Sequence, residues 1–309
     1  MKKRLLFFII ICLASVNFWG CQKDYYGKGQ PFTMSTDKLS GYSNSEIMAL
    51  SADNYDRFMH ASYLIVTDKF GEVHKIKISA NIKRHEWDFS NLDSSGMFKN
   101  YIGEDGTAVG KVGIDVSEHQ GVIDWEKVAA NVDFAFIRLG YRGYTGGGLQ
   151  LDGYYSANME GAAAAGIPVG VYFYSQAVTY EEGVEEANFV LSNLGDYGLA
   201  YPIVLDREDP MAEDARTNDL SAEQHTAAAL GFLDTIAASG HRAMMYTNRL
   251  YYSLYVDIEQ IYKYPIWFAQ YADEPDWPYE FAIWQYTESG EVPGIYGSVD
   301  LNLQMMDIQ

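Results

Sequence analysis

Tyr201-Pro202-Ile203-Val204-Leu205-Asp206-Arg207-Glu208-Asp209-Pro210 is an apolar run that ends abruptly in acid. A short, continuous apolar run bounded by turn residues reads as a strand covered on both faces. Alternate side chains of a strand share a face, so Asp206 and Glu208 point one way and Arg207 the other, toward the layer that covers the strand. Two neighbouring carboxylates cannot both ionise freely, and the more enclosed one keeps its proton to a higher pH. A pair of this kind can supply a general acid near neutrality. A D-x-E at a strand end also occurs as a solvated turn, and this stretch alone does not separate the two.

Outward from that strand the chain alternates strand and helix. Val112–Val116, Phe134–Arg138 and Val169–Tyr174 precede it as strands, and Ala243–Thr247, Ile266–Ala269, Phe281–Tyr286 and a short Ser298–Asp300 follow it. Asp124 caps a helix through Val128, and Asp152 begins one that stops at Gly166. Thr179 opens a third, whose Glu181 and Glu182 suit the positive end of the helix dipole. Ser221 with Gln224 three residues on fits a capping box, and Ala-rich helix follows to Gly240. Continuous apolar strands alternating with helices imply a parallel sheet covered on its outside. The number of units implies an α/β fold: a TIM-like (β/α) barrel, complete or incomplete. Chemistry in such barrels sits where the strands end, and Asp115, Asp206, Glu208 and Asp300 all lie at or near strand ends. An open doubly wound sheet would gather some of these acids too, but it normally brings a Gly-rich phosphate turn after its first strand. Asp115-Val116-Ser117-Glu118-His119-Gln120-Gly121 takes that place here.

The amino-terminal third differs in character. Lys2, Lys3 and Arg4 precede a short apolar run from Leu5 to Val16, too short for a membrane span and suited to a signal segment. Gly20 directly before Cys21 resembles a bacterial lipoprotein signal, which implies residues 1–20 as signal peptide and Cys21 as the lipidated residue, in a cell-envelope, outer-membrane setting. A plain secretory signal is the alternative, and Phe18 and Trp19 depart from the lipoprotein pattern. Residues 21–35 read as a tether broken by glycine and proline. Residues 36–108 read as a small β-rich domain of unassigned role. Its strands are Ser62–Thr67 and Val73–Ile78, its hairpin turn is Asp68-Lys69-Phe70-Gly71, and Trp87, Phe89, Phe98 and Tyr101 are available to cover one face. Gly103–Lys111 has a faint look of a phosphate loop. Asp105 and Val112 stand where that motif needs glycine and a hydroxyl, so it is read as the linker into a domain spanning residues 109–309.

Composition narrows the function. The formal net charge of -20 repels phosphate backbones and argues against nucleic acid as a partner. The two cysteines, Cys12 and Cys21, precede the folded part, which therefore has neither a disulfide framework nor a cysteine nucleophile. No H-E-x-x-H or C-x-x-C pattern indicates a metal, no motif calls for a cofactor, and no G-x-S-x-G marks a serine hydrolase. The aromatic share of 15%, with 25 Tyr, suits sugar rings, which stack on aromatic faces, though any single Tyr serves equally well as core. Nothing in the sequence sets an oligomeric state.

Several ordered blocks resemble glycoside hydrolase family 25, the lysozymes of the Chalaropsis type, over about residues 112–304. Gly113-Ile114-Asp115-Val116-Ser117 with His119-Gln120-Gly121 and Ile123-Asp124-Trp125 is similar to its opening motif. Val169–Phe173, Pro202–Glu208, Met245–Asn248, Ile266–Tyr271, Ile283–Tyr286 and Gly297–Asn302 are similar to later blocks. The resemblance implies hydrolysis of the β-1,4 bond between N-acetylmuramic acid and N-acetylglucosamine in peptidoglycan. It implies Glu208 as general acid and Asp206 as the partner that steers the substrate's own 2-acetamido group. Asp115 and Asp300 are the remaining acids, tuning charge or, alternatively, serving as structural carboxylates. Tyr172, Tyr246, Trp267 and Gln285 are expected along the sugar groove or in the core. Arg207 stands where the family usually has an apolar residue. A glycan-binding protein on the same barrel, without catalysis, is the competing reading. The D-x-x-D-x-D-x-E pattern of family 18 chitinases is missing, with Tyr201 and Val204 at its two earlier acid positions.

Overall fold

In the computed structural model, which describes residues 62–308, the chain divides into two compact units, Met1–Ala80 and Asn81–Gln309. Cys21 and the tether lie outside the described residues. In the first unit, β1 (Tyr63–Thr67) and β2 (Val73–Lys77) form an antiparallel hairpin. Asp68 shapes the turn: its Oδ1 accepts from the N–H groups of Phe70 and Glu72, both at 2.9 Å. Gly71 follows at φ +83°, a backbone state that glycine adopts without strain. Leu64 and Val66 are buried, whereas Val73, Lys75 and Lys77 are exposed, so one face of β2 is wet as its alternation implies.

The division between units falls at Ala80, not near residue 108. Residues 81–110 belong to the second unit because their backbone and aromatic groups engage it. Glu280 donates its N–H to the Lys83 carbonyl at 3.1 Å, and the His85 ring meets Phe281 edge-on at 6.0 Å. Within this segment β3 (Leu92–Asp93) pairs antiparallel with β4 (Asn100–Tyr101), and Trp87 packs edge-on against Tyr101. The aromatic residues expected to cover the hairpin thus sit in the other unit.

The rest of that unit runs β5 (Lys111–Val116), α1 (Trp125–Val128), β6 (Phe134–Arg142), β7 (Leu149–Leu151), α2 (Tyr155–Ala164), β8 (Val169–Tyr174), α3 (Tyr180–Asn193) and β9 (Ile203–Asp206). It continues α4 (Ala222–Ala238), β10 (Ala243–Asn248), α5 (Arg249–Leu254), α6 (Ile258–Ile261), β11 (Ile266–Ala269), β12 (Ile283–Gly290) and β13 (Val299–Gln304). The order β5-β13-β12-β11-β10-β9-β8-β6 closes on itself through β5–β6 pairing, so the fold is a closed eight-stranded barrel within a mixed α/β unit, with β7 added on β6. Closure rules out the incomplete barrel and the open sheet. The sheet is not wholly parallel: β13 runs antiparallel to both β12 and β5. That reversal brings the start of β13 to the end of β5, which places Asp300 directly opposite Asp115.

Caps form where the sequence puts them. Thr179 Oγ1 accepts from Glu182 N–H at 3.2 Å, and Ser221 and Gln224 exchange both bonds of a capping box. Asp152 is the exception. The helix starts at Tyr155, and Asp152 stands just before it: its Oδ1 accepts from the Tyr154 N–H at 2.9 Å while its Oδ2 pairs with Arg138 at 2.7 Å. Helices α3 and α4 cross at Gly183 and Gly231, where a Cβ would stand 2.1 Å from the carbonyl oxygens of Ala228 and Tyr180 respectively.

Inside the barrel, large and small residues sit side by side. Gly113 is the register partner of Phe134, and Gly170 of Phe136, so each ring occupies space that a side chain would block. Phe136 stacks on Trp267 with ring centroids 4.6 Å apart, and Tyr246 meets Trp267 at 4.8 Å. This aromatic layer forms a dry floor under the mouth where the parallel strands end.

Candidate active site

Strand positions gather the acids on that floor. Asp115 is the last residue but one of β5 and Asp206 ends β9. Glu208 follows on the same face, because the Arg207 N–H, bonded to the Tyr246 carbonyl at 3.2 Å, carries the ladder one residue further. Asp300 opens β13 across from Asp115, and the two share a hydrogen bond. Asp115 is the most heavily held. Its Oδ2 accepts from Gln285 Nε2 at 3.0 Å and from Asn302 Nδ2 at 2.8 Å. Trp267 Nε1 in turn donates to Asn302 Oδ1 at 2.8 Å, and the hydroxyls of Tyr246 and Tyr271 donate to Gln285 Oε1 at 2.8 and 3.0 Å.

Of the residues expected along a sugar groove, Trp267 and Gln285 are buried beneath the acids, at 1% and 2% exposure, and reach the mouth through these bonds. Tyr246 is nearly as enclosed. Tyr172 is part-buried beside Asp115, Asp206, Asp300 and Arg138. Burial and those acids hold its phenol well above the ordinary range, so it stays an O–H donor.

The electrostatics follow from crowding on a dry floor. Burial raises every carboxyl of the set. Glu208 is pushed up to about 7 by desolvation and the charges of Asp115, Asp209 and Glu288. Asp300 is pushed up to about 9 by desolvation and the adjacent Asp115. Asp115 is raised by burial, while the bonds from Asn302, Gln285 and Asp300 oppose the rise, so Asp300 holds the proton and Asp115 accepts it. Asp206, 7% exposed, is raised well above its ordinary value by desolvation and by Glu208, Asp115 and Asp300, with Arg138 pulling the other way. Among the described residues nothing hydrogen-bonds to its Oδ1. Because the four titrate together, their protonation belongs to the cluster.

The set has a consequence for stability. A carboxyl whose folded pKa exceeds its unfolded value of ~4 contributes stability that is complete below that value. The contribution is lost as pH rises through the folded values, about 7 for Glu208 and about 9 for Asp300. The melting temperature is therefore expected to be higher near pH 5 than near pH 9, and Asp300→Asn to narrow the gap. Melting curves that coincide across this range would show that burial does not hold the protons on.

Several site residues escaped the sequence reading. Asn302 lies two residues from Asp300 on the same strand face, so its place was readable from the period of a strand. Tyr271 sits in a quoted block but in a loop, where no period applies. Arg138, which faces Asp206 and Tyr172, is anchored to Asp152 at 2.7 Å and Glu118 at 3.1 Å, and only the folded register brings it there. Arg207 is fully buried on the helix side. Its Nη1 donates to Ser175 Oγ at 3.1 Å, its Nη2 donates to the Ala177 carbonyl at 2.8 Å, and Nη2 lies 3.2 Å from His225 Nδ1. In the hairpin unit Asp68, Glu72 and His74 bring three ligand-type atoms within 4.8 Å. Asp68 already spends its oxygens on the turn and on His74, so the turn geometry accounts for the group.

Residues 114–295 match Glycosyl hydrolases family 25. The chain belongs to glycosyl hydrolase family 25. It is 31% identical to Lysozyme M1 of Streptomyces globisporus over 204 residues, covering 62% of this chain and 67% of that protein. It is 26% identical to the autolytic lysozyme of Clostridium acetobutylicum over 192 residues, 62% of this chain and 54% of the relative. Among solved structures, the bacterial lysozyme of Streptomyces coelicolor aligns with a TM-score of 0.53 at 28% identity, over 64% of this chain and 93% of its own. The autolysin LytC of Streptococcus pneumoniae, in complex with a synthetic peptidoglycan ligand, shares the fold with a TM-score of 0.58 at 24% identity. That alignment covers 78% of this chain and little more than half, 56%, of LytC. The family-25 chain described here is thus an enzyme, a glycoside hydrolase of the lysozyme kind.

Proposed function

We propose that this enzyme hydrolyses peptidoglycan glycan strands at the β-1,4 bond between N-acetylmuramic acid and N-acetylglucosamine. Glu208 acts as general acid on the leaving oxygen, and Asp206 steers the substrate's acetamido group. The observation that carries this reading is the unpartnered Oδ1 of Asp206, buried beside a Glu208 that titrates near neutrality. An acetamido N–H arriving at Oδ1 supplies the missing donor, and a hydrogen bond to the charged form favours ionisation. The proton of the pair then resides on Glu208, where protonation of the leaving group requires it. The acetamido oxygen is free to attack the anomeric carbon, forming a C–O bond as the glycosidic C–O bond breaks, and water later opens that intermediate. Asp115 and Asp300, locked to each other and to Gln285 and Asn302, set the charge in which the pair titrates.

Cys21, with Gly20 before it, supports a lipidated form held at the cell envelope, at the outer membrane. Incorporation of a labelled fatty acid that disappears in Cys21→Ser is the expected result.

The test of catalysis incubates the chain from residue 22 onward with purified peptidoglycan and identifies new reducing ends after borohydride reduction. Reduced muramic acid ends are the expected product. Reduced glucosamine ends would refute the assigned bond. Tight glycan binding with no new ends would favour a binding protein on the same barrel.

A further inference from the structure

The family match begins at residue 114, yet residues 81–110 are built into the same compact unit. The strip 94–99 forms one wall of an open groove of about 680 Å³, and the other wall comes from the loop after β11 together with β12 and β13. Lys99 clasps the two walls. Its Nζ donates to the carbonyls of Ala272 at 3.1 Å and Asp273 at 2.6 Å and lies 5.0 Å from the Trp284 ring. Its backbone N–H donates to the Tyr286 hydroxyl at 3.3 Å. An ammonium group has three N–H donors, so one remains for a ligand.

Tyr271 links the groove to the catalytic cluster. It is 51% exposed, lines the groove and also bonds Gln285, which holds Asp115. The remaining lining combines an apolar side chain, Met97, that is 65% exposed with polar groups of both kinds: the Thr287 hydroxyl and the carboxylates of Asp273 and Glu291. Half-exposed apolar and aromatic surface interleaved with donors and acceptors fits a sugar, which offers C–H faces and hydroxyls together. The charge selects between the two parts of peptidoglycan. Asp273 and Glu291 lie in the groove, and the chain carries -20. A stem peptide brings carboxylates, and a peptide-free N-acetylmuramic acid brings its lactyl carboxylate, which this field repels, whereas neutral N-acetylglucosamine pays no such cost.

We propose that residues 94–99, which precede the family domain, add a subsite that holds a neutral N-acetylglucosamine unit of the glycan strand flanking the bond to be cut. The proposal rests on the peptidoglycan reading above. It assigns the segment a part in gripping long strands.

The experiment uses the full chain with Glu208→Gln, so that ligands bind without turnover, and titrates peptide-free glycan strands of graded length by calorimetry. Affinity is expected to rise with length. Met97→Asp, at an exposed position that does not threaten folding, is expected to lower affinity for long strands about five- to tenfold more than for a disaccharide, the scale of one lost contact. Lys99→Met, with its fold checked by circular dichroism, should act in the same direction. Affinity independent of length, or equal losses for long and short strands, overturns the subsite. Gains seen with peptide-bearing strands alone overturn the sugar assignment in favour of the stem peptide. Length-dependent binding lost in Met97→Asp, in a protein whose parent releases no reducing ends, supports the groove and removes the hydrolase reading instead.

Discussion

Glu208→Gln is expected to lower kcat on peptidoglycan by about 10²–10⁴-fold while leaving the fold and the melting curve close to those of the parent. The substitution is nearly isosteric and takes away the transferable proton. Part-buried Glu208 makes no side-chain bond on which the described fold depends, so the loss is chemical. Most of it should fall on kcat, because proton donation to the leaving oxygen is made in the transition state and not in the ground state. The pH profile sharpens the test. A general acid acts in its protonated form, so the rate of the parent should be full below about 7 and fall as pH rises through that value. Glu208→Gln has no proton to lose there, and its residual rate should lack that alkaline limb. An alkaline limb at the same position in Glu208→Gln would transfer the assignment to Asp206, the other member of the pair.

Much of this arrangement was legible in the chain before any fold was known. The alternation of apolar strands and capped helices specified an α/β barrel, and the period of a strand put Asp206 and Glu208 on one face with Arg207 on the other. Three features were not legible, each for a physical reason. The direction of β13 depends on what its side chains meet across the barrel, and a short apolar run looks alike in both directions. The membership of residues 81–110 is set by contacts such as Glu280 with Lys83 and His85 with Phe281, between segments nearly two hundred residues apart. The placement of Arg138 beside Asp206 follows from register between β6, β8 and β9, which local pattern does not encode. Trp267 shows the reverse case. Its type suggested a sugar platform, but its position two residues before the end of an inward-facing strand set it in the floor, acting on Asp115 through Asn302.

The largest stability effect is expected behind the acids. Glu186→Ala should cost about 3 kcal/mol in denaturant unfolding, because it takes the buried carboxylate from Arg142 Nε and from the Ser175–Arg207 pair and leaves Arg142 only the half-exposed Glu185. Glu186 is fully buried and accepts from Arg142 Nε at 2.7 Å, Ser175 Oγ at 2.6 Å and the Gln176 N–H at 3.3 Å. Ser175 Oγ is also where Arg207 Nη1 donates, so Glu186 serves two guanidinium groups, Arg142 directly, which also pairs with half-exposed Glu185 at 2.7 Å, and Arg207 through a hydroxyl. Burial raises Glu186, and Ser175 and Arg142 draw it back, the signature of a charge kept at a cost. Arg207→Met should behave differently. It leaves Glu186 with Arg142, Ser175 and Gln176, leaves His225 Nδ1 with the Tyr251 hydroxyl at 2.8 Å, and removes an Nε that has no partner among the described residues. Replacing a buried charge by an apolar side chain of similar length is often close to neutral when its partners stay satisfied; here the Ala177 carbonyl loses the Arg207 donor, so the cost should be modest and below that of Glu186→Ala. Equal losses in the two variants would mean that Arg207, not Glu186, carries the network. In that case the cation between the two acids would hold the end of β9 in place through its bonds to Ser175 and Ala177, and kcat should fall in Arg207→Met even in protein that remains folded.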